Sequence, residues 1–303
     1  CAAKPKGTAM KTMIRTTAAS LSALMLVAAC ASTPSVAADP APAFDADFPP
    51  ALVELNFESH GDRLNGHIYL ADGPGPHPTV VLLHGFPGNE RNLDLAQDLR
   101  SDGFNVLFFH YRGAWGSEGT YSFTHVIEDV AAATDYLRAN AEKLRTDPDK
   151  LILVGHSMGG FAALEAAARD ETIACVAGIA PANMGPLADA PAERTDGFAA
   201  YADTMQMLAG LTGANAIAEV KANREAFDTR LLAPRLVGSS VLCIRGDKDT
   251  SESVDGVIAP LDAAYEAEPG IDLTAVILSG DHSFSWSRQK LIDEVVDWAE
   301  GCR

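Results

Sequence analysis

The sequence predicts an α/β fold, a mostly parallel sheet of eight strands with helices on both faces. Two observations predict it. Short unbroken apolar runs recur along the chain, such as TVVLL at 79–83 and LILV at 151–154. A strand with one wet face would alternate, so such runs belong to strands covered on both sides. Segments of helical period stand between them, and strands that alternate with helices build parallel sheets.

The elements follow in order. Residues 53–57 and 67–70 read as a hairpin turning near Gly61-Asp62. A buried strand at 79–83 leads to a helix over 91–100 that Gly103 closes. A strand at 106–109 precedes a helix over 123–138 with Ile127, Val130, Ala131, Thr134 and Leu137 on one face. The strand 151–154 runs directly into a helix over 158–169. Strands follow at 175–180, 241–244 and 273–278, and a last helix spans 285–299. Residues 183–235 break the alternation. They are long, helical in character, and lie between two strands, so they read as a cap over the site. In such sheets ligands bind at the carboxyl ends of the strands.

One motif carries chemistry at that position. Gly155-His156-Ser157-Met158-Gly159 fits G-x-S-x-G, comes directly after LILV and opens the helix that begins GGFAALEAAA. A serine on a tight strand-to-helix turn exposes its hydroxyl. Flanking glycines leave room where a Cβ would collide. The helix N-terminus favours negative charge developing near Ser157. A hydroxyl nucleophile needs a base, and only one histidine lies beyond Ser157, namely His282 in Gly280-Asp281-His282. Two carboxylates, Asp247 and Asp249, come after the strand at 241–244 and compete for the role of the acid that orients it.

These features resemble the α/β-hydrolase superfamily over roughly residues 52–303. The resemblance implies the chain order Ser, acid, His, and a Gly-x-x-Asp pattern that selects Asp249 and leaves Asp247 to hold the turn. The loop His84-Gly85-Phe86-Pro87-Gly88 resembles the superfamily's HGxPG loop. It implies an oxyanion hole from the N–H groups of Phe86 and Met158, with His84 structural. Within the superfamily the chain looks like the esterase, monoacylglycerol-lipase and serine-aminopeptidase branches. Its segment Tyr111-Arg112-Gly113-Ala114-Trp115-Gly116-Ser117 is similar to their YRG-x-G-x-S stretch, expected to shape the pocket. Ser157 excludes branches with an Asp or Cys nucleophile.

The expected reaction is hydrolysis of carboxylic esters through an acyl-enzyme, with peptide or amide hydrolysis second. A non-catalytic lipoprotein binding module is a reading of another class. Trp115, Met205 and Met207 are candidates for an apolar pocket wall, although methionines at such spacing also simply fill a cap core. The cap's acids show no convergent pair that would clamp a substrate amine.

Lys11 and Arg15 precede an uncharged apolar stretch at 18–29, too short to span a bilayer and suited to a signal segment. It ends Val27-Ala28-Ala29-Cys30, which resembles the lipobox of bacterial lipoproteins and implies lipidation of Cys30. Ordinary cleavage after Ala38 is the alternative. Residues 1–30 are thus a targeting segment, 31–50 an Ala/Pro/Asp-rich flexible linker, and 51–303 the hydrolase domain. The expectation is an exported protein, lipid-anchored in a bacterial cell envelope or secreted into the periplasm or beyond.

The formal net charge is −18. Loss of the residues before Cys30 removes four basic residues and no acid, taking it to −22. That balance argues against nucleic-acid binding, which needs clustered Lys and Arg, so membrane attachment would rest on the anchor. No dinucleotide fingerprint, CxxC pair or His/Cys cluster points to a cofactor or metal. The cysteines give no disulfide framework. Cys175 and Cys243 sit in apolar runs and are expected to pack as small hydrophobes, with a bridge between them open only in an oxidising compartment.

Overall fold

A computed structural model describes residues 43–252 and 254–303. The targeting segment, Cys30 and the linker up to residue 42 lie outside the described residues. Strands β1 (Ala51–Ser59) and β2 (Asp62–Leu70) form the antiparallel hairpin. His60 and Gly61 join them, both at positive φ, which suits a two-residue turn that matches the strand twist. Then come β3 (His77–Leu83), α1 (Leu93–Ser101), β4 (Asn105–Phe109), α2 (Phe123–Ala139), the short α3 (Ala141–Leu144), β5 (Thr146–His156), α4 (Met158–Ala167) and β6 (Cys175–Ile179).

The cap comes after β6. It contains a 3₁₀ turn at Gly185–Asp189, α5 (Ala192–Asp203), α6 (Gly213–Ala222) and a second 3₁₀ turn at Thr229–Arg235. The chain closes with β7 (Ser240–Gly246), a π-helical turn at Val254–Ile258, α7 (Ala259–Glu266), β8 (Asp272–Leu278) and α8 (Arg288–Glu300). The turn and α7 were not expected between the last two strands.

The sheet has eight strands in the order β1-β2-β4-β3-β5-β6-β7-β8. β2 pairs antiparallel with β1 and β4, and every other pairing is parallel. The unbroken apolar runs are explained by the two cores. Val81, Leu83, Leu107 and Leu153 point to the face where Val126, Val130 and Phe161 of α2 and α4 pack. Val80, Leu82, Val106 and Ile152 point to the other, against Leu95 and Leu99 of α1 and Leu291 and Val295 of α8. Side chains alternate across a strand, so each apolar residue fills one core or the other. Ser122 starts α2 by accepting the His125 N–H on its side chain. All ten residues of α4 are buried, which fits its Gly- and Ala-rich sequence.

The cap is laced to the segment between β4 and α2. Trp115 N donates to Met207 O at 3.1 Å, Ala209 N to Gly113 O at 2.7 Å, and Tyr121 N to Ala209 O at 2.9 Å. The Glu219 carboxylate of α6 accepts the N–H groups of Phe123 and Thr124, where α2 begins.

Two expectations are corrected. Cys175 is bonded to Cys302, with Cα atoms 6.2 Å apart across 127 residues of sequence. Only Cys243 is a free buried thiol among the described residues. The reason is that α8 returns along the sheet and leaves Cys302 packed on the core that holds the start of β6. The end of the expected linker is also fixed. Phe48 O accepts from Gly73 N and Arg145 Nη1, and Asp45 Oδ1 accepts from Asp47 N and Phe48 N.

Candidate active site

The site forms where β5 stops. Ser157 has φ 56 and ψ −121, a left-handed conformation that costs a non-glycine residue about 1–3 kcal/mol. The surroundings hold it there. Ser157 N donates to Ile179 O at 2.8 Å, and Ser157 O accepts from Ala182 N at 3.0 Å and Phe161 N at 3.1 Å. The motif's glycines are required by close approach. A Cβ on Gly155 would stand 2.0 Å from Gly159 O, and one on Gly159 would stand 2.3 Å from Leu83 O.

His282 comes after β8, on a turn that packs beside the elbow. Its Nδ1 donates to Asp249 Oδ2 at 2.7 Å. The other Asp249 oxygen accepts from Ser251 N at 2.7 Å and Glu252 N at 3.0 Å. Burial alone would raise the Asp249 carboxyl. The His282 hydrogen bond and the two backbone N–H groups outweigh it and hold the group below the ordinary carboxylate value. Asp247 does other work: it accepts Gly280 N at 3.1 Å and pairs with Lys248 at 3.2 Å. It ties the β7 turn to the β8 turn and does not touch His282.

The x of the motif matters as well. His156 Nε2 lies 2.8 Å from His282 O. A carbonyl only accepts, so His156 carries its proton on Nε2. Burial, then the neighbouring His282, pushes His156 down to about 4. It is therefore a neutral prop under the His282 turn. The sequence showed it only as a variable letter in a motif.

Ser157, Met158, Phe86 and His282 line one cavity of about 370 Å³. The N–H groups of Phe86 and Met158 have no acceptor among the described residues. His84 lies behind them, buried and pushed down to about 4 chiefly by that burial, with Nδ1 2.8 Å from Gly85 O. It does not line the cavity. A larger groove of about 740 Å³ runs along β1, β2 and β4, without the serine.

The pocket wall differs from expectation. Phe86, Phe123, Met184, Leu187, Phe198 and Tyr201 supply it. Trp115, Met205 and Met207 do not line the cavity. Trp115 has a positive φ, and its Nε1 donates to Pro87 O at 2.8 Å, so its indole braces the loop that carries Phe86. Met205 and Met207 are half-buried against the core, and Met207 O receives the Trp115 N–H. The neighbouring Arg112 is anchored by Asp129 at 2.6 Å and by Glu128, which stiffens this support.

Two charged groups also reach the cavity. Arg194 comes from α5 and Glu252 from the turn after Asp249. Burial, then the Asp249 charge, pushes the Glu252 carboxyl up to about 8, against the pull of Arg194. Neither residue had a distinguishing sequence signal.

A mostly parallel sheet with such a cavity at its strand ends is the architecture of the α/β-hydrolase fold. The chain belongs to the alpha/beta hydrolase family, whose pattern matches residues 80–296. It is 29% identical over 143 residues to the quorum-quenching protein AidA of Acinetobacter baumannii, 45% of this chain and 46% of that one. It is 32% identical over 120 residues to esterase EstD of Thermotoga maritima, 36% of this chain and 28% of that one. The Salmonella typhimurium protein YfhR is 37% identical over 83 residues, 27% of each chain. The matched regions thus span less than half the length of these relatives. Among solved structures, Est1E of Butyrivibrio proteoclasticus superposes with a TM-score of 0.62 at 17% identity, covering 82% of this chain and 98% of that one. A Pyrococcus furiosus esterase gives 0.63 at 16% identity, covering 84% and 92%.

Proposed function

We propose that this chain is a serine hydrolase of carboxylic esters, with Ser157 as nucleophile, His282 as base and Asp249 as the acid that orients it. The observation that carries this reading is that Ser157, strained on its elbow, faces the same cavity as a histidine whose Nδ1 is held by Asp249 at 2.7 Å. That bond leaves Nε2 of His282 free to take the serine proton and return it to the leaving group. Ser157 Oγ bonds to the acyl carbon, and the resulting oxyanion is met by Phe86 N–H and Met158 N–H. Collapse expels the alcohol as the acyl-enzyme forms. Water, deprotonated by His282, then releases the acid and restores Ser157.

Esters are favoured by the apolar wall of Phe123, Leu187 and Phe198 and by the likeness to EstD. A 32% identity over 120 residues to a Saccharolobus solfataricus proline iminopeptidase favours peptide or amide hydrolysis as the second reading. The test is fluorophosphonate labelling beside an ester and aminoacyl-amide panel. Label should attach to Ser157, and Ser157→Ala should abolish labelling and lower turnover about 10⁴-fold or more. A purified Ser157→Ala protein that still labels and hydrolyses would reject the reading.

We also propose export with a lipid anchor at Cys30. The Cys175–Cys302 disulfide supports an oxidising compartment. Labelled fatty acid should enter the wild-type protein in bacteria and not Cys30→Ala. A soluble wild-type protein beginning at Asp39 would favour ordinary secretion.

A further inference from the structure

We propose that Arg194 and Glu252 select esters bearing a second, ionised acid group: Arg194 takes the anion, and the Glu252 carboxyl donates a hydrogen bond to it. This rests on the hydrolase reading of the same cavity and names the substrate class that the reading left open.

The first observation is that both side chains are uncommitted. The Arg194 guanidinium has no ion pair or hydrogen bond among the described residues, and the Glu252 carboxyl has none either; Glu252 uses only its N–H, on Asp249. Asn183 and Asp249 beside them are occupied, while the Ser251 and Tyr201 hydroxyls also line the cavity. Asn183 donates to Asp228 and accepts from Thr229 N, and Asp249 is saturated by His282 and two N–H groups. No ion pair within 4 Å joins Arg194 to Glu252 among the described residues, although both line the cavity and Arg194 is close enough to pull on the Glu252 carboxyl.

The second observation is the sign of the charge. Glu252 is a half-buried carboxyl that feels the Asp249 charge, and it holds its proton up to about pH 8. At neutral pH the uncommitted charge in the cavity is then the guanidinium of Arg194, on a chain whose formal net charge is −18. A substrate ammonium would face Arg194 and would need Glu252 ionised beside Asp249. A neutral ester can accept hydrogen bonds from these groups but brings no charge to meet Arg194. A carboxylate accepts from both, and hydrogen bonds to charged partners are the strong ones.

The experiment compares para-nitrophenyl monoadipate with its neutral counterpart para-nitrophenyl hexanoate and its cationic counterpart para-nitrophenyl aminohexanoate. Each is measured on the full chain and on Arg194→Met and Glu252→Gln. The corresponding anilides are measured as ligands by calorimetry in the Ser157→Ala background, where neither the ester nor the amide reading allows turnover. In the wild type, kcat/KM should favour the monoadipate over the hexanoate at least about tenfold, and Arg194→Met should lower that ratio about tenfold. The anilide bearing a carboxylate should show the same loss in affinity. A ratio that Arg194→Met leaves alone overturns the proposal, while hexanoate turnover through Ser157 keeps the hydrolase reading intact. So does preference for the aminohexanoate that disappears in Glu252→Gln, which would make Glu252 an amine clamp. If no ester is turned over, the hydrolase reading fails, and calorimetry alone decides for or against anion selection.

Discussion

His156 Nε2 donates to the main-chain oxygen of His282 at 2.8 Å, so the residue before Ser157 positions the residue that faces it. The elbow and the histidine turn are thereby one construction, 126 residues apart in sequence. Replacing His156 by Phe keeps much of the buried volume and removes the donor. His156→Phe should lower kcat about tenfold or more with little change in KM, because small misplacement of a catalytic group is costly. His156→Gln, which can restore a donor, should recover part of the loss. Equal defects in both variants would reduce His156 to a packing residue.

The two carboxylates after β7 should separate cleanly. Asp249→Asn removes the charge behind His282 and should cost about 10⁴ in kcat, as loss of a triad acid does. Asp247→Asn loosens the Gly280 contact and the Lys248 pair. It should lower thermal stability while kcat stays within about tenfold. Steady-state kinetics beside a melting curve would distinguish them, and the reverse pattern would move the acid to Asp247.

Removing the disulfide should be expensive. Cys302→Ala unties the start of β6 from the end of α8 and should cost about 2–5 kcal/mol by chemical denaturation. Reductant should destabilise the wild type by a similar amount and leave Cys302→Ala unchanged. An unchanged midpoint in both would mean that the bridge contributes nothing.

Glu165 gives a pH signature of stability. It is buried in α4, its Oε2 is paired with Arg169 at 2.7 Å, and its Oε1 has no partner. Burial is the main cause that pushes it up to about 7, partly opposed by Arg169 and Arg235. The folded state therefore binds the proton more tightly than the unfolded state. Its contribution is fully present below the unfolded value and is lost as pH rises through about 7. The loss is up to about 3 kcal/mol at about 1.4 kcal/mol per pH unit. Glu165→Gln should flatten this slope between about pH 5 and 8, and an unchanged slope would show that Glu165 is not its source.

Much of the fold was readable from the sequence, as were several residues that the structure brings to one cavity. The parallel strands announced themselves because two covered faces demand unbroken apolar runs, and Ser157 stood out because the strand, turn and helix around it are contiguous. His282 was singled out by elimination, since no other histidine lies beyond Ser157. What escaped depends on distant meetings or on backbone direction. Cys302 meets Cys175 only once α8 has packed. Glu252 is one of 41 acids, and only the turn that gives its N–H to Asp249 carries it to the cavity. Trp115 looked like a pocket wall because it is large and apolar, but its positive φ sends the indole to Pro87 instead.

The lacing between residues 113–124 and the cap bears on how such proteins diversify. Gly113, Trp115 and Tyr121 exchange main-chain bonds with residues 207–209, and Glu219 serves the first N–H groups of α2. Cap and loop are therefore one inheritable module. A cap moved alone would carry Glu219 away from the start of α2 and Met207 away from Trp115, the brace of the loop that holds Phe86. Recombination that respects the chemistry has to move residues 113–124 and 183–235 together, although β5, α4 and β6 lie between them.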